Sequence, residues 1–151
     1  QYVEFKSSLL WDYHRQTVNK DLYEPVMKNL AAFMNTAGGA VIIGVDDNGQ
    51  ALGIEKDFAG LPKKNVDGWE NTFNMAFNAM IGAEFRQYAE LFFHAIAGQT
   101  VCLVRVQPAA TPVYVTLKGK EEYYIRTGNS SQSLSVSKAN RYIQAHFRSL
   151  A

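Results

Sequence analysis

The stretch NTAGGAVIIGVDDNG, Asn35 to Gly49, carries four glycines and two aspartates around one apolar run, and its reading decides the fold. In a dinucleotide-binding loop the glycines follow a strand and open a helix, so that free N–H groups and the positive helix end meet phosphate. Here the order is reversed. Upstream, Leu22, Val26, Leu30 and Phe33, with Met27, Ala31 and Met34 beside them, recur at helical spacing and end at Asn35 or Thr36. Asp21 and Glu24 have capping-box spacing, while Pro25 suits the first turn and puts the regular helix from near that residue. Downstream, AVIIGV is short, β-branched and bounded by turn signals, which predicts a buried strand. Gly38 and Gly39 therefore face the unpaired carbonyls at a helix end that repels phosphate. One glycine is expected to take the left-handed cap conformation and the other to allow close passage into the sheet. Asn35, Gly38, Gly39 and Gly44 read as architecture, and the chain contains no GxxxxGK[ST] loop.

Working outward, Val3 and Phe5 alternate with Glu4 and Lys6, a short strand with both charges on one face. The polar run DYHRQTVNKD follows it. Asn48-Gly49 predicts a tight hairpin turn with ALGI returning as the partner strand. Val66, Trp69, Phe73, Ala76, Phe77 and Met80 predict a second helix stopped by Gly82. Strands are then expected at YAELFFHAI, TVCLVRV, VYVTL and EEYYIRT, before a last helix that Ser135 can cap and whose apolar positions are Val136, Ala139, Ile143 and Phe147. Hairpins rather than regular crossovers argue for an α+β fold with a mostly antiparallel mixed sheet and about three helices. There is no internal repeat or low-complexity linker, so residues 1–151 are expected to form one domain. Strand-like sequence from the second residue, without an initiator Met, is what a piece of a longer protein would show.

With 151 residues, 47% of them hydrophobic and 13% aromatic, the chain can bury a core and is not a disordered tail. No apolar run approaches a membrane span, and QYVEFK lacks the pattern of a signal peptide; a cytoplasmic location without membrane contact is the expectation. The one cysteine, Cys102, lies in VCLVRV and reads as core. The net charge of +1 conceals an asymmetry: residues 1–99 hold 8 Lys+Arg against 12 Asp+Glu, and residues 100–151 hold 7 against 2.

That basic segment contains EEYYIRTGNSSQSLS, where Arg126 precedes a Gly/Ser run that reads as a loop able to present N–H groups and hydroxyls, Ser130 among them, to a phosphate. Lys118 and Lys120 on the neighbouring turn extend a positive strip, and Lys6 joins it from the first strand. The bland alternative is a solvated hairpin and a helix cap. Tyr123 and Tyr124 place one ring on each sheet face, one for the core and one able to stack on a base. Asp46 and Asp47 end opposite faces of the AVIIGV strand; either can serve the turn alone, or join Glu4 in binding Mg²⁺ or Mn²⁺. His14, His94 and His146 show no ligand spacing, and Ser7 and Ser8 have no visible base partner.

Taken together, VEFKSS, LAAFMNTAGGAVIIGVDDNGQALGI and YYIRTGNSS resemble the Schlafen AlbA-like domain, also called the second AlbA or divergent AAA family. The resemblance implies a nucleic-acid-binding domain, often bacterial and fused to other modules. In the vertebrate Schlafen branch it implies a metal-dependent nuclease that cleaves structured RNA with two Glu and one Asp. The pattern there is roughly Glu-Ser-x-x-x-Glu-x-Lys followed by Gly-Val-Asp-Asp. By motif, its second Glu is Glu4, its Lys is Lys6 and its Asp is Asp47, while its first Glu would fall before Gln1. The zinc-binding cysteines of that branch are absent, and the AAA label is not evidence of ATP hydrolysis.

Three functions are therefore expected to compete. The first is an RNA- or single-strand-binding module of a larger regulator, contacting its ligand through Lys6, Lys118, Lys120, Arg126 and Ser130. The second is an endoribonuclease-like domain with Glu4 and Asp47 catalytic around a Mg or Mn ion, Asp46 assisting as a ligand. The third is a protein-interaction domain, with a homo-oligomer formed through the strand-rich half.

Overall fold

The structure is a computed structural model and describes residues 2–147. Strand β1 (Val3–Lys6) runs parallel to β4 (Gly39–Ile43), pairing Val3 with Ala40 and Lys6 with Ile43. Between them come a two-residue hairpin, β2 (Trp11–Asp12) with β3 (Thr17–Val18), and helix α1 (Tyr23–Met34). Helix α2 (Val66–Met80) then leads to β5 (Ala89–Ile96) and β6 (Gln99–Val106), which complete an antiparallel-dominated sheet in the order β1-β4-β6-β5. A second sheet follows from β7 (Val115–Leu117), β8 (Lys120–Thr127) and β9 (Ser130–Leu134), and α3 (Val136–His146) closes the described chain. The fold is thus α+β with three long helices, its strands divided between two larger sheets and a small hairpin. Among the described residues no helix is long and apolar enough to cross a membrane.

The helical spacing read from the sequence has its cause in burial. Val26, Met27, Leu30, Ala31, Phe33 and Met34 are all fully buried, so α1 is enclosed by both larger sheets rather than lying on one. Its exit uses the glycines as expected from the order of elements. Gly38 has φ +76° and donates its N–H to Phe33 O at 2.9 Å, closing the last turn. At Gly39 a Cβ would lie 2.6 Å from Tyr2 O, so only glycine lets the chain pass into β4 there. In α2, Asn65 caps the helix by accepting from Gly68 N at 2.9 Å, and Trp69, Phe73 and Phe77 stack in series into the same core.

Three expectations change. ALGI does not return as a strand: only Val45 and Ala51 form a bridge, because Gly44 and Gly53, with φ of +99° and +80°, curl the chain so that Leu52 N and Gly53 N both donate to Gly44 O. The Gly/Ser run after Arg126 is a hairpin rather than an open loop, with Ser130 to Leu134 paired residue by residue against β8. And the polar stretch after β1 contains the β2–β3 hairpin, folded over a buried carboxylate. Asp57, fully buried, accepts from the N–H groups of Leu9, Leu10 and Trp11 at 2.8–3.0 Å and from the Trp69 indole at 2.8 Å. That arrangement fixes the chain leaving β1.

Candidate functional site

Because β1 and β4 are parallel, both release their chains at the same sheet edge: Ser7 and Ser8 beyond Lys6, and the Gly44–Gly49 turn beyond Ile43. A cleft of about 470 Å³ opens there, walled on its far side by the β2–β3 hairpin and the start of α1. Lys6, Ser7, Ser8, Trp11, Tyr13, His14 and Asp47 all line it. The position, outside the carboxyl ends of parallel strands, is where open sheets offer divergent loops and free backbone groups to a ligand. Trp11 has an indole N–H buried without a hydrogen-bond partner, and Lys56 Nζ stands 5.6 Å from its ring centroid. The cleft thus combines aromatic surface, the Ser7 and Tyr13 hydroxyls and a cation, together with one carboxylate at Asp47 and another at Asp12; the Ser8 hydroxyl donates to Trp11 O.

Lys6 is positioned by a chain of charges. Its Nζ lies 3.5 Å from Glu4 Oε2, and Glu4 Oε1 lies 2.8 Å from Arg126 Nη2. The two charges on β1 thus share a face, as their alternation requires. Arg126 is buried, 8% exposed; its Nη1 donates to Asn29 Oδ1 at 3.0 Å and to Ser131 Oγ at 3.1 Å, and its guanidinium carbon sits 4.7 Å from the Phe33 ring centroid. Arg126 Nε and Nη2 nonetheless lack hydrogen-bond partners, so the Glu4 contact is ionic rather than a well-aligned hydrogen bond.

This placement corrects the surface reading of Arg126. Its segment is basic, but β8 alternation turns Tyr124 and Arg126 toward α1, where Phe33, Asn29 and Glu4 enclose the guanidinium. Ser130 is likewise committed locally, donating to Thr127 O and accepting from Gln132 Nε2. Lys118 and Lys120 do lie at the exposed β7–β8 turn. Lys118 approaches Asp21 at 4.0 Å and Glu24 at 3.6 Å, while Lys120 makes no ion pair among the described residues. Lys28 on α1 adds a cation 5.8 Å from the Tyr124 ring, and Asp21 and Glu24 flank the cleft residues Leu22 and Pro25 in sequence.

The acidic residues do not assemble as the metal reading requires. Asp46 Oδ1 accepts from Asn48 N and Gln50 N, both at 2.9 Å, which is turn chemistry. Asp47 is exposed on the cleft, whereas Glu4 belongs to the Arg126 ion pair and does not line the cleft. Among the described residues no three His, Cys, Asp or Glu side chains are grouped to hold a metal ion. Asn35 is structural: fully buried, its Nδ2 donates to Val113 O and Tyr124 O, and its Oδ1 accepts from Val113 N. The sequence did not single out Trp11, Tyr13 or Asn29, because each depends on a contact between distant segments; the Asn29–Arg126 bond spans 97 residues.

Comparison with known proteins places this geometry in context. The family model described as Schlafen, AlbA_2 matches residues 1–135. A crystal structure of the DIP2311 protein from Corynebacterium diphtheriae superposes with a TM-score of 0.67 at 20% identity, covering 97% of this chain and 27% of that one. This chain is therefore less than a third of the length of that relative. The N-terminal domain of a protein from Nitrosomonas europaea, described as a "putative ATP-dependent DNA helicase RecG-related protein", superposes with a TM-score of 0.54 at 22% identity, covering 89% of this chain and 83% of that one. No curated protein matches.

Proposed function

From the premise that the chain belongs to the Schlafen AlbA_2 family, we propose that it is a nucleic-acid-binding module of a larger regulatory protein. Its preferred ligand is single-stranded RNA or DNA. The observation that carries this reading is the cleft, where Lys6 shares one concave surface with Trp11, Tyr13, Ser7 and Ser8. Single strands are bound by aromatic faces that stack on bases beside cations and hydroxyls that take the backbone, and such stacking contributes about 1–3 kcal/mol per base. Duplex recognition usually inserts a helix or ribbon into a groove; α1 is buried and α2 packs its aromatics inward, while the mostly exposed α3 brings only two Lys or Arg side chains, Lys138 and Arg141. The similarity to a domain from a helicase-related protein is in keeping with this reading. Lys120, Lys118 and Lys28 supply the flanking charge, and Arg126 acts indirectly by holding Glu4, which in turn holds Lys6.

The test is an anisotropy titration with labelled transfer RNA, single-stranded DNA and duplex DNA at two salt concentrations, with and without manganese. Single-stranded ligands should bind, weaken as salt rises, and bind about tenfold more weakly to Trp11→Ala, in line with one lost stacking contact. Equal binding of every ligand by wild type and Trp11→Ala, or no binding at all, would overturn the proposal.

A further inference from the structure

A second and larger cavity lies away from the cleft. A groove of about 810 Å³ runs between α3 and the face of the β7–β8–β9 sheet opposite α1. Its floor is aromatic and aliphatic: the Tyr114 and Tyr123 rings stand 5.2 Å apart at 59°, beside Leu134 and Ile143. At its rim Val136 is 90% exposed, an unusual position for a β-branched aliphatic residue that has no partner to cover it. Tyr123 is 3% exposed, yet its hydroxyl has no hydrogen-bond partner. A buried hydroxyl left unpaired costs stability, so a site that retains one has a donor or acceptor still to meet.

The polar groups around this floor discriminate between occupants. Glu121 and Glu122 line the groove and, among the described residues, no Lys or Arg does, so a phosphate backbone meets two carboxylates and no side-chain cation there. Helix α3 opens into it at Ser135 with no side-chain cap and no acidic residue in its first turn, leaving backbone N–H groups for carbonyl oxygens. An occupant that satisfies the whole surface brings apolar side chains, carbonyl acceptors and a cation together. A polyamine brings only the cation. A protein segment brings all three.

We propose that this groove is a docking site for a protein segment in which apolar residues alternate with Lys or Arg. The apolar side chains cover Val136, Leu134 and Ile143, the cation faces Glu121, and main-chain carbonyls meet the start of α3. The groove is separate from the nucleic-acid cleft, so the two proposals stand or fall independently.

A labelled peptide of alternating leucine and lysine, titrated into the full chain, tests this. Wild type should bind it, and a leucine–glutamate peptide should not compete. Glu121→Lys and Val136→Glu, both at exposed positions, should each weaken binding by about tenfold or more, and Tyr123→Phe should weaken it less. Asp67→Lys, an equal charge change at an exposed position of α2, should leave it unchanged. The proposal is overturned by equal binding of wild type and Glu121→Lys, by equal weakening in Asp67→Lys, by displacement with the glutamate peptide, or by displacement with spermidine at matched concentration. Displacement by single-stranded RNA would also overturn it, by moving the peptide to the cleft.

Discussion

Asp57 shows how one side chain can organise the edge that carries the candidate cleft without lining it. With no solvent exposure, its carboxylate gathers the N–H groups of Leu9, Leu10 and Trp11 and so fixes the loop that carries Ser7, Ser8 and Trp11 into the cleft. In Asp57→Asn the amide nitrogen cannot accept, so donors are left unpaired in the core. The expected loss is about 2–3 kcal/mol near neutral pH, read as a lower urea midpoint with unchanged slope. Burial pushes the Asp57 carboxyl above its ordinary 3.8, opposed by the Trp69 indole and the three backbone N–H groups. The folded state therefore holds the proton more tightly than the unfolded chain, and stability from this residue is greatest below 3.8 and declines as pH rises through the folded value. Denaturation of wild type and Asp57→Asn between about pH 4 and about pH 7 should show the wild-type advantage narrowing as pH rises; widening would contradict it. The Glu4–Arg126 pair behaves differently, because Glu4 is partly exposed while Arg126 is not. Glu4→Gln leaves a buried guanidinium without its counter-charge and should cost about 1–2 kcal/mol after allowance for solvent. In Arg126→Met, where Met can fill the space over Phe33, the same Glu4 change should cost almost nothing, and a double-mutant cycle measures that difference.

Among the elements, the glycines separate by what surrounds them. At Gly39 an added methyl meets the Phe33 ring and Tyr2 O, so Gly39→Ala should displace β4 or α1 and cost more than about 2 kcal/mol. At Gly49 the nearest atom is Phe5 Cε2 at 4.0 Å and only the positive φ of +82° resists, so Gly49→Ala should cost about 1 kcal/mol. Thermal denaturation of the two variants side by side checks the order; a larger loss at Gly49 would mean the turn, not the helix exit, sets the register. The helix exit was legible because it depends on local order: a periodic apolar run, two glycines, then a β-branched run. The long strands were legible for the same reason. Strand β9 was not, since Ser-Ser-Gln-Ser offers no apolar alternation and owes its pairing to β8 rather than to burial of its own side chains. The ALGI segment failed in the opposite sense: its apolar residues look like a strand, but the positive φ values at Gly44 and Gly53 turn it after one bridge.

At the scale of the whole molecule, the charge asymmetry of the sequence marked a basic segment but not where its side chains lie. Seven Lys and Arg beyond residue 99 suggested a positive strip, yet the residue judged central to it, Arg126, is buried against Phe33 and paired with Glu4 from the other end of the chain. No local pattern can show this, because it depends on β1 and β8 meeting across α1. The cleft was hidden for a related reason: Lys6 and Asp47 were visible, but Trp11 and Tyr13 reach them only through the β2–β3 hairpin. The placement makes a quantitative distinction between cations. Each Lys that neutralises a phosphate releases counterions and contributes to the slope of log affinity against log salt. Lys6→Ala and Lys120→Ala should each flatten that slope for single-stranded RNA by about 0.7, and the double variant by about twice as much. Arg126→Met, which removes a buried charge, should lower or raise stability without changing the slope by a comparable amount. A variant series in which Arg126→Met flattens the slope as much as Lys120→Ala would mean that the guanidinium reaches phosphate after all, and that the ion pair with Glu4 opens when nucleic acid binds.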